Sequence, residues 1–420
     1  MTSENPELSN ISLDLQERYS HWKKNTKLLY DYLNTNTAKW PSLTCQFFPD
    51  LDTANDMHRI LLSSFTSSQL PEDESIYIAG ISTAKHLNWS SLNNFDIDAM
   101  EFLPDTSTKF PSKQLTTDVT IKFPNGDCNT ARYSPQNPDL IAGASSDGSI
   151  YIFNRTKHGS RRIRHGGDEN LPYEAKMYSV SNVVEDIDQD YEALSIDWNK
   201  QKEGLLLSSY SNGDIKVWDM NSFSVKDPEI KTAKHSLTYD SAGTNCVSWM
   251  QTHDSLFAAG GESNKLSIFD TRKQKLETNA INTEYHSEGV NTCQFNPFNS
   301  LLLASGDGSG RVNLWDIRQL NNEPIASFEH GSSVSMLQWN PNLETIIATA
   351  GQEDGLVKLW DTSSNEPLFV HGGHMLGVND ISWNAHDPWL MCSVANDNTT
   401  HIWRPALNLV EEAYTNINNT

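Results

Sequence analysis

Residues 329–361 read EHGSSVSMLQWNPNLETIIATAGQEDGLVKLWD, from Glu329 to Asp361. Val334–Trp339 alternates apolar and polar residues, the pattern of a strand with one buried face. Asn340-Pro341-Asn342 supplies a turn, Thr345–Ala350 runs apolar, Glu353-Asp354-Gly355 turns again, and Leu356–Trp360 alternates once more. Three short strands closed by Trp-Asp predict a repeated β unit rather than a free-standing domain.

The unit recurs. Stretches 129–154, 193–219, 244–270, 286–316 and 374–404 have the same layout and close on Phe153, Trp218, Phe269, Trp315 and Trp403. Toward the C-terminus their spacing converges on the roughly 40–45 residues of a WD-repeat blade. A degenerate unit at 40–81 brings the expected total to seven, so the predicted fold is all-β, a seven-bladed WD-repeat β-propeller. Residues 86–127 and 155–190 are polar and carry no blade signature, so both are expected as long excursions. The second begins basic (Arg161, Arg162, Arg164) and ends acidic (Glu185, Asp186, Asp188, Asp190, Glu192). That acidic end fits either a solvated loop or a negative platform for a Lys/Arg-rich peptide.

The chain has 420 residues and a formal charge of −23, which disfavours nucleic acid and favours basic partners. No run of eighteen apolar residues occurs, and MTSENPELSN lacks the apolar region of a signal peptide, so a soluble intracellular protein is expected, with no membrane contact. Cys45, Cys128, Cys246, Cys293 and Cys392 form no C-x-x-C pair and read as reduced, buried small residues. Neither metal-ligand spacing nor a phosphate-binding loop is found, and no cofactor is expected.

In each WD blade a His, a Ser or Thr, an Asp and the closing Trp can link by hydrogen bonds. His330, Thr349, Asp354 and Trp360 fit, as do His374, Ser393, Asp397 and Trp403. A catalytic-triad reading fails because the set repeats blade by blade, whereas a nucleophile site would not. No enzyme is expected.

Residues 13–34 form the strongest helical pattern, with Leu15, Tyr19, Trp22, Thr26, Leu29 and Leu33 on one stripe and Asp14 and Glu17 placed for a capping box. Leu28 and Tyr32 lie beside the stripe and fit either extra packing or the wall of a partner's groove. These readings divide the chain into an N-terminal segment with a docking helix (1–36), the propeller (37–405) and a C-terminal segment (406–420).

Together with these units, LDLQERYSHWKKNTKLLYDYLNTNTAKWPSLTCQFFPD, ARYSPQNP at 131–138, Gly372-Gly373-His374 and Asp387-Pro388-Trp389 resemble the histone-binding WD-repeat family of retinoblastoma-binding and MSI type. Within it, residues 351–361 and 375–383 are similar to the fungal WD-repeat subunits of type B histone acetyltransferases. The resemblance implies a non-catalytic subunit in cytoplasm and nucleus that binds histones H3 and H4 beside a catalytic acetyltransferase subunit. A chromatin assembly or deacetylase complex is the alternative, and a ubiquitin-ligase adaptor is an alternative of another class. It places the first helix of H4 in a side groove at Leu28, Leu29, Phe369 and Leu409, to which the apolar pattern adds Tyr32 and Leu368. The loop there is only Thr362-Ser363-Ser364-Asn365-Glu366-Pro367, so a low wall is expected. It places a lysine of the H3 tail at Asp127, Asn129 and Glu192. Leu194, Asn245 and Ser335 stand where relatives clasp a tail arginine, so arginine reading is expected to weaken.

Overall fold

In the computed structural model, the described residues are 12–410 apart from 54–55, 84–94, 97–100, 103–113, 159–172, 179–190, 223–227, 274–275, 277 and 365. Seven antiparallel sheets of four strands each, one of them extended by a fifth, follow one another along the chain and make the propeller. The opening stretch is blade 6, with strands Val334–Trp339, Ile346–Gly351, Val357–Asp361 and Pro367–His371. Its innermost strand buries Val334, Leu337 and Trp339, and the expected alternation is broken by a register shift between Val334 and Met336. The middle strand is buried along its whole length because neighbouring blades cover both faces.

The helix α1 spans Leu13–Leu29 and stops five residues short of the predicted end. Tyr30–Thr37 is instead a strand, β1, paired antiparallel with Thr399–Pro405 as the outer strand of blade 7. The ring is thus closed by an N-terminal strand beside the last C-terminal one, and the propeller begins at Tyr30 rather than at residue 37. An unpaired edge on blade 7 would leave its backbone groups open, and pairing there overrides the helical spacing of Tyr30–Leu33. The helix is capped by Ser12, whose Oγ accepts the Leu15 N–H at 3.3 Å, not by Asp14.

Two stretches expected as excursions contain outer strands. Thr116–Lys122 completes blade 1, and Ala175–Met177 completes blade 2 with Glu229–Ile230 added in parallel. Thr116–Lys122 is exposed at most positions, so it never shows an apolar run. Closure between the first and last blades is polar. Asp380 Oδ2 accepts from Cys45 N at 2.8 Å, Thr44 Oγ1 at 3.2 Å and Arg132 Nη1 at 2.8 Å, joining blades 7, 1 and 2.

The repeating His, Ser/Thr, Asp and Trp sets are scaffold. Trp360 Nε1 donates to Thr349 Oγ1 at 2.8 Å, which also meets His330 Nδ1 at 2.7 Å. In blade 7, Ser393 Oγ joins Trp403 Nε1 and His374 Nε2, and blade 5 repeats the pattern with His286, Ser305, Asp307 and Trp315. All five cysteines are free and buried. Among the described residues, no helix is long and apolar enough to cross a membrane.

Candidate functional site

α1 docks on the outer side of blade 7 through Trp22. Its ring stacks on His401 at 9° and meets Tyr30 and His371 edge-on. Trp22 Nε1 donates to Tyr30 Oη at 2.7 Å, Tyr30 Oη bonds His371 Nδ1 at 2.7 Å, and His371 Nε2 bonds His401 Nδ1 at 3.0 Å. A Cβ on Gly373 would meet the Trp22 ring at 2.7 Å, so only glycine lets the helix approach this closely. Arg18 adds bonds to the carbonyls of Asp354 and His374.

The ring nitrogens of His371, His374 and His401 lie within 4.8 Å of one another. Both nitrogens of His371 and of His374, and Nδ1 of His401, already carry protein hydrogen bonds. Burial, followed by the neighbouring imidazoles, holds His371 and His401 far below the usual histidine range, so both stay neutral. The cluster is a buried polar core under the helix.

Of the residues assigned to the side groove, Leu28 is 66% exposed and Leu409 is 38% exposed, while Leu29 and Leu368 are half-buried. Ala406 N donates to Leu29 O at 2.8 Å, bringing the 407–410 helical turn beside the end of α1. Phe369 and Tyr32 are each only 5% exposed. Phe369 stacks on Trp403 and meets Tyr30 edge-on, so it forms the floor beneath the groove rather than its open wall. Along Pro367–His371 the outward positions are Leu368 and Val370, and Val370, missed in the sequence, is 37% exposed. Period-two alternation could have identified it.

The second candidate surface surrounds the channel. Asn129 Nδ2 donates to Glu192 Oε2 at 3.0 Å and to Ala193 O, so two of the three assigned residues are in contact. Asp127 is 7% exposed, and its oxygens receive the Ser68 N–H and Oγ–H. Leu194, Asn245 and Ser335 line the same cavity of about 240 Å³ as Asn129. Asn129, Asn245, Asn291 and Asn379 all spend side-chain N–H groups on protein acceptors, which leaves their carbonyl oxygens as the groups a ligand would meet. An acceptor-rich ring with Glu192 and Glu262 suits a cationic peptide. Within the same cavity, burial pushes the Asp197 carboxyl up to about 6, against the pull of the Trp249 N–H. The acids at 185–190 and the arginines at 161–164 lie outside the described residues.

Comparison with known proteins accounts for both ends of this architecture. Residues 17–85, covering most of α1, β1 and three strands of blade 1, match the H4-binding family described by histone-binding protein RBBP4 and its counterpart in the CAF1 complex. Residues 229–410 match a propeller family, the N-terminal domain of nucleolar protein 10-like proteins. Over 413 residues the chain is 63% identical to histone-binding protein MSI1 of Saccharomyces cerevisiae, spanning 96% of this chain and 97% of that protein.

Proposed function

The chain belongs to the histone-binding WD-repeat family of RBBP4 type, and from that premise we propose that it is a non-catalytic, histone-binding subunit of a chromatin complex. The observation that carries this reading is the unpaired apolar edge at the end of α1. Leu28 and Leu409 remain exposed there, above the buried Phe369, inside or beside the stretch that matches an H4-binding family. An amphipathic helix such as the first helix of H4 would lay its apolar stripe on that edge. The H3 tail would meet the acceptor-rich channel mouth, with its lysine at Asp127, Asn129 and Glu192.

Two complexes fit. In a type B histone acetyltransferase, fixing the H4 helix would raise the effective concentration of its tail at the catalytic subunit. In a chromatin assembly complex, the same grip would carry H3–H4 for deposition. The match at residues 17–85 to a family named partly for the CAF1 complex favours the second. Cytoplasm and nucleus are the proposed locations.

The test is binding of an H4 first-helix peptide by the Leu28→Asp, Leu409→Asp double variant. Both side chains are exposed, so folding should survive. Loss of binding is expected, and unchanged affinity would remove the groove assignment. Acetyltransferase activity co-purifying with the tagged chain separates the two complexes.

A further inference from the structure

Glu74 immediately precedes the third strand of blade 1, Ser75–Ser82, and is 2% exposed. Its Oε1 accepts the Thr66 N–H, while Oε2 is buried and meets no donor. The group facing it is Asp127, whose oxygens take the Ser68 N–H at 2.9 Å and Oγ–H at 3.0 Å.

Lys122, on the strand paired with Ser75–Ser82, is exposed, and the other neighbouring charges are committed elsewhere. Asp73 holds Lys39 and Trp40, Asp147 holds Asn125 and Tyr151, and Arg132 holds Asp380. Cys128, the remaining titratable neighbour, has its thiol pushed up by burial and then by Glu74. Two carboxyls therefore face each other in a buried site, and among the described residues no cation pairs with either. Such a pair holds one proton rather than two negative charges. A proton on Glu74 Oε2 gives that orphaned oxygen a hydrogen bond to donate, and Asp127 is its acceptor. Burial pushes the Glu74 carboxyl up to about 7, with the Thr66 bond pulling down and Asp127 adding to the rise.

Asp127 immediately precedes the first strand of blade 2, Cys128–Tyr133, and lies two residues before Asn129, whose Nδ2 reaches Glu192 at the channel mouth. We propose that Glu74 holds a proton on Oε2, donated to Asp127, and that a primary ammonium group docking at the Asp127–Asn129–Glu192 end of the ring releases it. Glu74 then sets the charge that a lysine side chain meets there. The proposal rests on the lysine-reading assignment of this face. The exchange balances: the carboxyl O–H of Glu74 loses its proton to the buffer, and the ammonium docked beside Asp127 supplies the compensating positive charge.

Below about pH 7 each binding event should release up to one proton, with affinity rising up to about tenfold per pH unit and levelling off above. Glu74→Gln keeps the shape, donates its amide N–H to Asp127 and has no proton to release. The experiment is calorimetry of the full chain with an H3 N-terminal tail peptide at about pH 6, in buffers of different ionisation enthalpy. Proton release by the wild type and none by Glu74→Gln is expected. Release that is absent in the wild type, or equal in both, overturns the proposal. If the peptide binds neither protein, the tail-face reading fails. The carboxyl ¹³C titration of Glu74 in the free chain then decides the dyad: a midpoint of about 7 supports proton sharing, and the ordinary 4.5 overturns it.

Discussion

Trp22 Nε1 donates to Tyr30 Oη at 2.7 Å, joining the docking face of α1 to the first residue of β1, which follows the helix directly. That bond leads into His371 and His401, so the helix is fastened by a buried polar chain as well as by apolar contact. Truncating Trp22 to Ala should cost about 3–5 kcal/mol, because the buried ring leaves a cavity and Tyr30 loses its donor. Trp22→Phe should cost less, since the stacking on His401 is partly kept. Urea denaturation of both variants measures the difference, and equal costs would mean that ring packing adds nothing beyond the hydrogen bond that both variants lose.

Ring closure should fail most sharply at Asp380. Its carboxylate is 1% exposed, and Arg132 is the cation against it. Arg132→Met leaves a buried, uncompensated charge and should cost about 3–5 kcal/mol, whereas an Arg132→Met, Asp380→Leu double variant should recover much of the loss. Denaturation midpoints of the single and double variants check this, and additive losses would argue against a coupled pair.

The imidazoles under α1 predict an acid-side weakness. His371 and His401 titrate far below their ordinary 6.5 when folded, so the unfolded chain binds more protons as pH falls. Stability is therefore fully present above 6.5 and declines below it, by up to about 1.4 kcal/mol per pH unit for each imidazole. Glu74 acts in the opposite sense, its contribution falling as pH rises from 4.5 to about 7, so the titration belongs in a Glu74→Gln background. His401→Gln should flatten the remaining slope of melting temperature against pH. A slope unchanged by that substitution would place the titrating group elsewhere.

The blades were legible in the sequence because every inner and middle strand carries a buried face, and burial writes its period into the residues. Outer strands were not. Thr116–Lys122 has a solvated face and therefore polar positions where an apolar signal would have been needed. Tyr30–Leu33 continued the helical stripe, and only the open edge of Thr399–Pro405, distant in sequence, makes it a strand. For the candidate sites, the residue types were readable but their depth was not. Leu28 and Phe369 stood as equals in the sequence, yet one is open to solvent and the other packs on Trp403. Glu74 gave no signal at all, because its significance comes from facing Asp127 across fifty-odd residues of chain.

That difference in depth makes Leu28 and Phe369 a matched pair for separating binding from folding. Phe369→Ala removes a buried ring from between Tyr30 and Trp403 and should cost about 3–5 kcal/mol. Leu28→Ala deletes a side chain that is 66% exposed and should change stability by no more than about 0.5 kcal/mol. If the edge beside Leu28 is where a histone helix lies, Leu28→Ala should still weaken binding of the H4 peptide about tenfold, the scale of one well-placed apolar anchor. Denaturation and peptide titration on the same two variants distinguish the outcomes. A Leu28→Ala protein with full affinity would move the docking surface away from α1, and a Phe369→Ala protein of full stability would mean that the groove floor is not part of the core.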